Sequence, residues 1–262
     1  MKNSNNKNRR VVIKVGSSVL TEQTGIAKER MLNLVTLIAK VSKKYEVILV
    51  TSGAVAAGYT ALKLDREKQI SKKVLASVGQ PILMSSYKRM FGIYDIDTSQ
   101  ILLTEDDFDS RKRTKIFQQI INRTLESGII PIVNENDIST TPDQLFGDND
   151  QLSAHVAYYV DADLLVLLSD IDGYFDSNPN ENPNAKIQKE VYEISKEELN
   201  ASFTPNSKFA TGGIVTKLKA AQYVMERGCK MFLCSGFDLT TAMAYLIDDN
   251  HTKGTLFRAK DD

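Results

Sequence analysis

The chain has 262 residues, 42% hydrophobic and 25% charged, enough to bury a substantial core in one large domain or two small ones. Lysine plus arginine equal aspartate plus glutamate at 33 each, so no net field recommends a nucleic acid or an anionic membrane as partner. The opening MKNSNNKNRR has no apolar stretch to serve as a secretory signal, and no run approaches the ~20 apolar residues that span a bilayer; a cytoplasmic protein with a disordered tail over 1–9 is expected.

In chain order, RVVIKV (10–15) reads as a strand stopped by Gly16, Ser17 and Ser18. Met31, Leu34, Val35, Ile38 and Val41 recur at helical spacing, and EVILVT (46–51) predicts a second strand ended by Ser52 and Gly53. Ala54, Ala56, Ala57 and Gly58 are small enough for a helix to pack close to the sheet. This β, α, β, α opening is the pattern of a parallel sheet covered by helices. Residues 67–91 read as helical, interrupted at Gly79, Gln80 and Pro81, with Pro81 starting or kinking a helix. A strand at Gln100–Thr104, a helix over Thr114–Glu126 and a strand from Ile129 follow; RKRTK (111–115) reads as a solvated helix face rather than a phosphate patch. LLVLL (164–168) predicts a central strand buried on both faces. Residues 174–206, rich in Asn, Pro, Glu and Lys, read as an irregular excursion with at most a short helix near 196–200. A helix carrying Ile214, Leu218, Ala221 and Met225, a strand at 230–234 and a last strand near 255–258 complete the chain. Cys229 and Cys234 read as structural thiols, and with only His155 and His251 beside them zinc ligation is poorly supported.

Polar residues cluster after the strand at Ile129. Asn134, Glu135, Asn136 and Asp137 follow it, and Gly147, Asp148, Asn149 and Asp150 stand directly before LSAHVAYYV, in the opening of a helix expected over 150–160. Asp148 or Asn149 can cap that helix, with Asp150 in its first turn. Capping needs only one or two side chains, whereas the carboxylates Glu135, Asp137 and Asp150 with the carboxamides Asn134, Asn136 and Asn149 suit a small polar substrate bearing an ammonium group. Several turns combine glycine with hydroxyls: Gly16 with Ser17, Ser52 with Gly53, and Thr211 with Gly212 and Gly213. Such turns can bring backbone N–H groups close to phosphate, although glycine also punctuates ordinary turns. Neither GxGxxG nor GxxxxGK[ST] occurs, which argues against a dinucleotide-binding dehydrogenase and a P-loop enzyme. Lys14 within an apolar strand, and Lys217 early in a helix, are candidates to meet phosphate charge. Burying Lys14 calls for an anionic ligand or a carboxylate partner.

The ordered set KVGSSVLT (14–21), VTSGAVAAG (50–58), VGQ (78–80), NEND (134–137), GDNDQLSA (147–154), LLSDIDGYF (167–175) and TGGIVTKLKAA (211–221) resembles the amino-acid kinase family. VTSGAVAAG, NEND and GDND together resemble the branch that phosphorylates the γ-carboxylate of L-glutamate at the start of proline synthesis. They separate it from relatives acting on uridylate, carbamate or acetylglutamate. The resemblance runs from about Val11 to Phe257. It implies a three-layer αβα sandwich with a mainly parallel central sheet, as one domain over 1–262. Residues of about 10–160 would bind the acceptor and build a homo-oligomer, a dimer or tetramer, and residues of about 161–262 would bind ATP.

Residue by residue, the resemblance implies that Lys14 and Lys217 contact the phosphates, Asp150 orients both lysines, and Gly16 and Gly53 offer backbone donors. Ser52, Gly53, Asp137 and Asn149 would hold glutamate, with Asn134 nearby. Gly16, Ser169, Asp170 and the run Thr211, Gly212, Gly213, Ile214, Val215, Thr216, Lys217 would hold the nucleotide. Mg²⁺ would sit on the nucleotide phosphates, with no protein metal ligand assigned. The resemblance also implies L-proline as feedback inhibitor and transient contact with glutamyl phosphate reductase. Ala210, Ile214 and Ser169 depart mildly from the family pattern. The chain stops at Asp262, where many relatives continue into an RNA-binding type of module, so no nucleic-acid role is expected. Two alternatives remain: a kinase of this fold with another small acceptor, and a non-catalytic sensor. Retention of Lys14, Lys217 and Asp150 together weighs against the sensor.

Overall fold

A computed structural model describes residues 9–22, 25–66, 68–140, 149–179, 181–200 and 213–260. The tail over 1–8, Gly147, Asp148, residues 201–206, Ala210, Thr211 and Gly212 lie outside the described residues. β1 (Arg10–Val15) leads through one helical turn, α1 (Ser17–Leu20), and a small hairpin, β2 (Thr21–Glu22) and β3 (Gly25–Ile26), into α2 (Lys28–Val41). β4 (Glu46–Thr51), α3 (Ala54–Ala61), α4 (Gln69–Phe91), β5 (Thr98–Leu103), α5 (Asp106–Asp109), α6 (Arg111–Glu126) and β6 (Ile130–Glu135) follow. The remainder is α7 (Asn149–Tyr159), β7 (Leu164–Ser169), β8 (Glu190–Val191), α8 (Lys196–Leu199), α9 (Ile214–Met225), β9 (Lys230–Ser235), α10 (Thr240–Ile247) and β10 (Thr255–Phe257).

The main sheet runs β5-β6-β4-β1-β7-β9-β10-β8, and only the β9–β10 pairing is antiparallel. Side chains alternate across the pleat, so each buried strand feeds two cores. Val11, Ile13 and Val15 pack with Leu34 and Ile38 of α2, Tyr87 and Phe91 of α4, and Leu246 of α10. Val12 points the other way, toward Phe117 of α6, Leu152 and Val156 of α7, and Leu218 of α9. Helices on both faces of a mainly parallel sheet give the three-layer αβα sandwich that the sequence predicts. Its parallel strands β1, β4, β6, β7 and β9 all end at one edge, where a ligand of an open α/β sheet is expected.

Most predicted elements stand where their periodicity puts them, and the differences have identifiable causes. α4 runs unbroken through Pro81. A Cβ on Gly79 would stand 1.8 Å from the Ala54 carbonyl oxygen, and Gln80 bonds to Asn134, so tertiary contacts hold the helix through its weak point. The same interlock corrects the expectation for the small residues of α3. A Cβ on Gly58 would stand 1.9 Å from the Leu75 carbonyl oxygen, so the closest approach is to α4 and not to the sheet.

α6 starts at Arg111 rather than Thr114, because the Ser110 hydroxyl accepts from the Arg113 N–H; the side chains of Arg111, Lys112, Arg113 and Lys115 are exposed. The stretch from 174 is less irregular than its composition suggests. Phe175 bridges Ile187, β8 extends the sheet edge beside β10, and Tyr174 is buried. Two-residue strands carry no readable period, which is why β2, β3 and β8 escape sequence patterning. α10 escapes it too. Cys229 and Cys234 are free and buried, and burial pushes the Cys229 thiol up to about 12, as for an inert core thiol.

Candidate active site

Strand alternation turns Lys14 to the α7 and α9 side of the sheet, and its ammonium meets Asp150. Lys14 Nζ lies 2.5 Å from Asp150 Oδ1, and Lys217 Nζ lies 3.1 Å from Asp150 Oδ2. All three are buried, with exposures of 4%, 6% and 0% for Lys14, Lys217 and Asp150. The Thr216 hydroxyl donates to the same Oδ2 at 3.2 Å, and Lys217 Nζ donates to the Gly213 carbonyl at 3.1 Å. The Gln151 amide donates to the Thr216 carbonyl at 3.0 Å, tying the first turns of α7 and α9 together. Burial alone would raise the Asp150 pKa, but attraction from Lys14 and Lys217 and their hydrogen bonds outweigh it and hold the carboxyl below the usual range. Among the described residues both ammonium groups share the Asp150 carboxylate, and two cations held together in a desolvated place suit an anionic ligand.

The glycines beside this centre keep its approach open. A Cβ on Gly16 would stand 3.8 Å from Lys14 Nζ, and one on Gly213 would stand 3.4 Å from Lys217 Nζ. A side chain at either position would stand against an ammonium group, so the two glycines fit a phosphate cradle. On the neighbouring strand end the Ser169 hydroxyl donates to Asp170 at 2.9 Å, and Gly236 N–H donates to the Ser169 carbonyl at 2.6 Å. Ser169 is buried and Asp170 exposed; Ile214 is buried, and Val215 and Thr216 are half-buried. Among the described residues no group of three His, Cys, Asp or Glu side chains is arranged to hold a metal ion. A divalent ion on the nucleotide phosphates needs no such cage, since Mg²⁺ commonly keeps several waters.

Beside the lysines lies a second compartment, a cavity of about 460 Å³ lined by Ser17, Ser52, Gly53, Asn134, Glu135, Asp137 and Asn149 among others. Its floor is a carboxamide relay. The Asn149 amide donates to Ser52 Oγ at 2.9 Å, to the Thr51 carbonyl at 2.6 Å and to Asn134 Oδ1 at 2.9 Å. Asn134 in turn donates to Gln80 Oε1 at 2.9 Å. Asn149 therefore locks the ends of β4 and β6 together instead of capping α7. Burial raises the Asp137 pKa, against the opposing attraction of Lys73.

Two consecutive pairs join the compartments. Gly16 faces Lys14 while Ser17 lines the cavity; Asp150 holds the lysines while Asn149 lines the cavity. The expected cluster of three carboxylates around one loop is thus divided: Glu135 and Asp137 stay with the cavity, Asp150 turns away to the lysines, and Asn136 lies off the lining. Sequence reasoning gives no role to Gln80 or Arg66, and puts Ser17 in a phosphate turn rather than beside this cavity. Gln80 stood in the VGQ motif, and a polar residue on a helix's buried face was the available signal. A larger cavity of about 600 Å³ beside β3 and the start of α2 shares no lining residue with the lysine centre.

A buried pair of lysines bridged by a carboxylate at the strand ends, beside a polar cavity, fits a phosphotransferase type of centre. A model of the amino acid kinase family matches residues 9–235, and the chain belongs to that family. It is 51% identical to the glutamate 5-kinase of Wolinella succinogenes over 254 residues, covering 95% of this chain and 97% of that protein. It is 50% identical to the glutamate 5-kinase of Leishmania donovani, covering 96% of each. Among solved structures, carbamate kinase from Giardia lamblia bound to AMP-PNP superimposes with a TM-score of 0.68 at 14% identity, covering 97% of this chain and 99% of that one, a likeness of fold.

Proposed function

We propose that the protein transfers the γ-phosphoryl group of ATP to the γ-carboxylate of L-glutamate, forming γ-glutamyl phosphate and ADP. The observation that carries the reading is the shared first turn of α7, where Asn149 lines the acceptor cavity and Asp150 bridges Lys14 and Lys217. The identities of 51% and 50% to glutamate 5-kinases support the choice of acceptor.

The γ-carboxylate is already ionised at neutral pH, so no general base is required. Its oxygen forms the new bond to the γ-phosphorus as the bond to the bridging oxygen breaks, and ADP leaves with that electron pair. Two anions must meet in line, so the chain's tasks are alignment and neutralisation. In this reading Lys14 and Lys217 face the phosphates, Asp150 fixes both ammonium groups, and Gly16 and Gly213 leave room for the phosphoryl oxygens. Gly53, Ser52, Asp137 and Asn149 hold the amino acid, with Asn134 bracing Asn149, while Ser169, Asp170 and residues 211–217 attend the nucleotide. Mg²⁺ on the phosphates supplies further neutralisation when bound.

The same reading includes L-proline as inhibitor, a homo-oligomer working in the cytoplasm, and delivery of the labile product to glutamyl phosphate reductase. Its support is the family relationship. Among the described residues no helix is long and apolar enough to cross a membrane. The test is purified protein with ATP, Mg²⁺ and hydroxylamine, which traps acyl phosphates as hydroxamate, offered glutamate, aspartate, acetylglutamate or uridylate. Hydroxamate with glutamate alone supports the reading; ADP release with a different acceptor only would replace it.

A further inference from the structure

We propose that Arg66 binds the α-carboxylate of the amino-acid substrate and thereby sets specificity for an α-amino acid over the same amine without that charge. This assignment rests on the glutamate reading given above. A substrate whose γ-carboxylate is to react carries two other charges, an α-ammonium and an α-carboxylate, and a pocket that selects it offers a partner to each. Glu135 and Asp137 supply negative charge for the ammonium. Arg66 is the one cationic side chain among the described residues lining that cavity.

Arg66 lies in the connection between α3 and α4, and its guanidinium carbon sits 3.5 Å from the centroid of the Tyr59 ring. That stacking orients a planar group whose donor edge suits a carboxylate, which lysine would meet only as a point charge. Among the described residues no carboxylate lies within ion-pair distance of Arg66, and the contact seen for its guanidinium is the Tyr59 ring. The start of α3 lines the same cavity. Gly53, at φ +106°, opens that helix with no side-chain cap, and Ala54, Val55 and Ala56 line the cavity. Backbone donors and a stacked guanidinium together offer the α-carboxylate a place apart from the lysines that serve the phosphoryl group. Arg66 touches substrate, not the reacting atoms.

The test compares Arg66→Ala and Arg66→Lys with the unaltered protein, using L-glutamate and isoglutamine, which keeps the ammonium and the γ-carboxylate but carries a neutral α-carboxamide. Isoglutamine is followed as substrate or, without turnover, as a competitive inhibitor against glutamate. The expected result is a glutamate KM raised ~10- to 100-fold in Arg66→Ala, as for loss of a charge-assisted pair, with the KM for ATP and the isoglutamine constant unchanged and partial rescue in Arg66→Lys. An unchanged glutamate KM, or equal loss for glutamate and isoglutamine, would overturn the assignment. Absence of glutamate-dependent hydroxamate from the unaltered protein would instead remove the glutamate reading beneath it.

Discussion

Asp150 is one negative charge between two buried ammonium groups, and both its roles follow from that. Asp150→Asn should lower kcat by about 10²–10³ through misplaced lysines, with the glutamate KM little changed, because the acceptor contacts belong to other residues. Asp150→Ala removes the carboxylate that two buried ammonium groups share and should cost about 3–5 kcal/mol in urea unfolding. The folded-state pKa of Asp150 lies below its unfolded value of about 3.9, so its stabilisation is complete above that pH and is lost as pH falls toward the folded value. The stability gap between the unaltered protein and Asp150→Asn should therefore shrink below about pH 4; parallel curves would refute the coupling. Asp137 is shifted the other way. The acid limb of kcat/KM for glutamate should carry an apparent pKa above the ordinary aspartate value and fall in Asp137→Asn to that of the substrate's own γ-carboxyl, about 4.3. Lys14 was legible in the sequence because a lysine in VVIKV must find a counter-charge. Arg66 was not, since only the fold brings a loop arginine against Tyr59 and the cavity wall.

Among the elements, the α3–α4 pair decides where the acceptor cavity stands. Gly58 and Gly79 let the two backbones interlock, and Gln80, one residue on, anchors the carboxamide relay through Asn134. Gly79→Ala should force α3 away from α4, costing about 1–3 kcal/mol as overpacking and raising the glutamate KM as Ser52 and Gly53 shift. Gly92, in a helical conformation with nothing within 4 Å of an added Cβ, is the control: Gly92→Ala should be neutral or stabilise by up to about 1 kcal/mol. Equal loss from both substitutions in thermal and urea unfolding would count against the interlock. This pairing shows where local reading stops. Pro81 announces a break by intrinsic propensity, but a helix held along one side by Ala54 and Asn134 continues through it. The strands at 10–15, 46–51 and 164–168 were readable because burial on both faces leaves runs of apolar residues, whereas β2, β3 and β8 depend on partners remote in sequence.

At the scale of the whole molecule, one sheet carries the acceptor cavity and the lysine centre on neighbouring strand ends. The architecture was legible from the βα alternation, and the charge centre from Lys14, Asp150 and Lys217. What the sequence could not disclose was the division of labour within DND, where Asn149 and Asp150 point into different compartments. The central claim is that the γ-carboxylate oxygen itself attacks phosphorus across that division. The direct measurement uses glutamate labelled with ¹⁸O in the γ-carboxylate, ATP, Mg²⁺ and hydroxylamine, and reads the label in the phosphate released. Attack by hydroxylamine on the acyl carbon leaves the bridging oxygen on phosphorus, so glutamate-dependent phosphate should carry one ¹⁸O, and Lys217→Ala should abolish it. Glutamate-dependent ADP release with unlabelled phosphate would contradict the account.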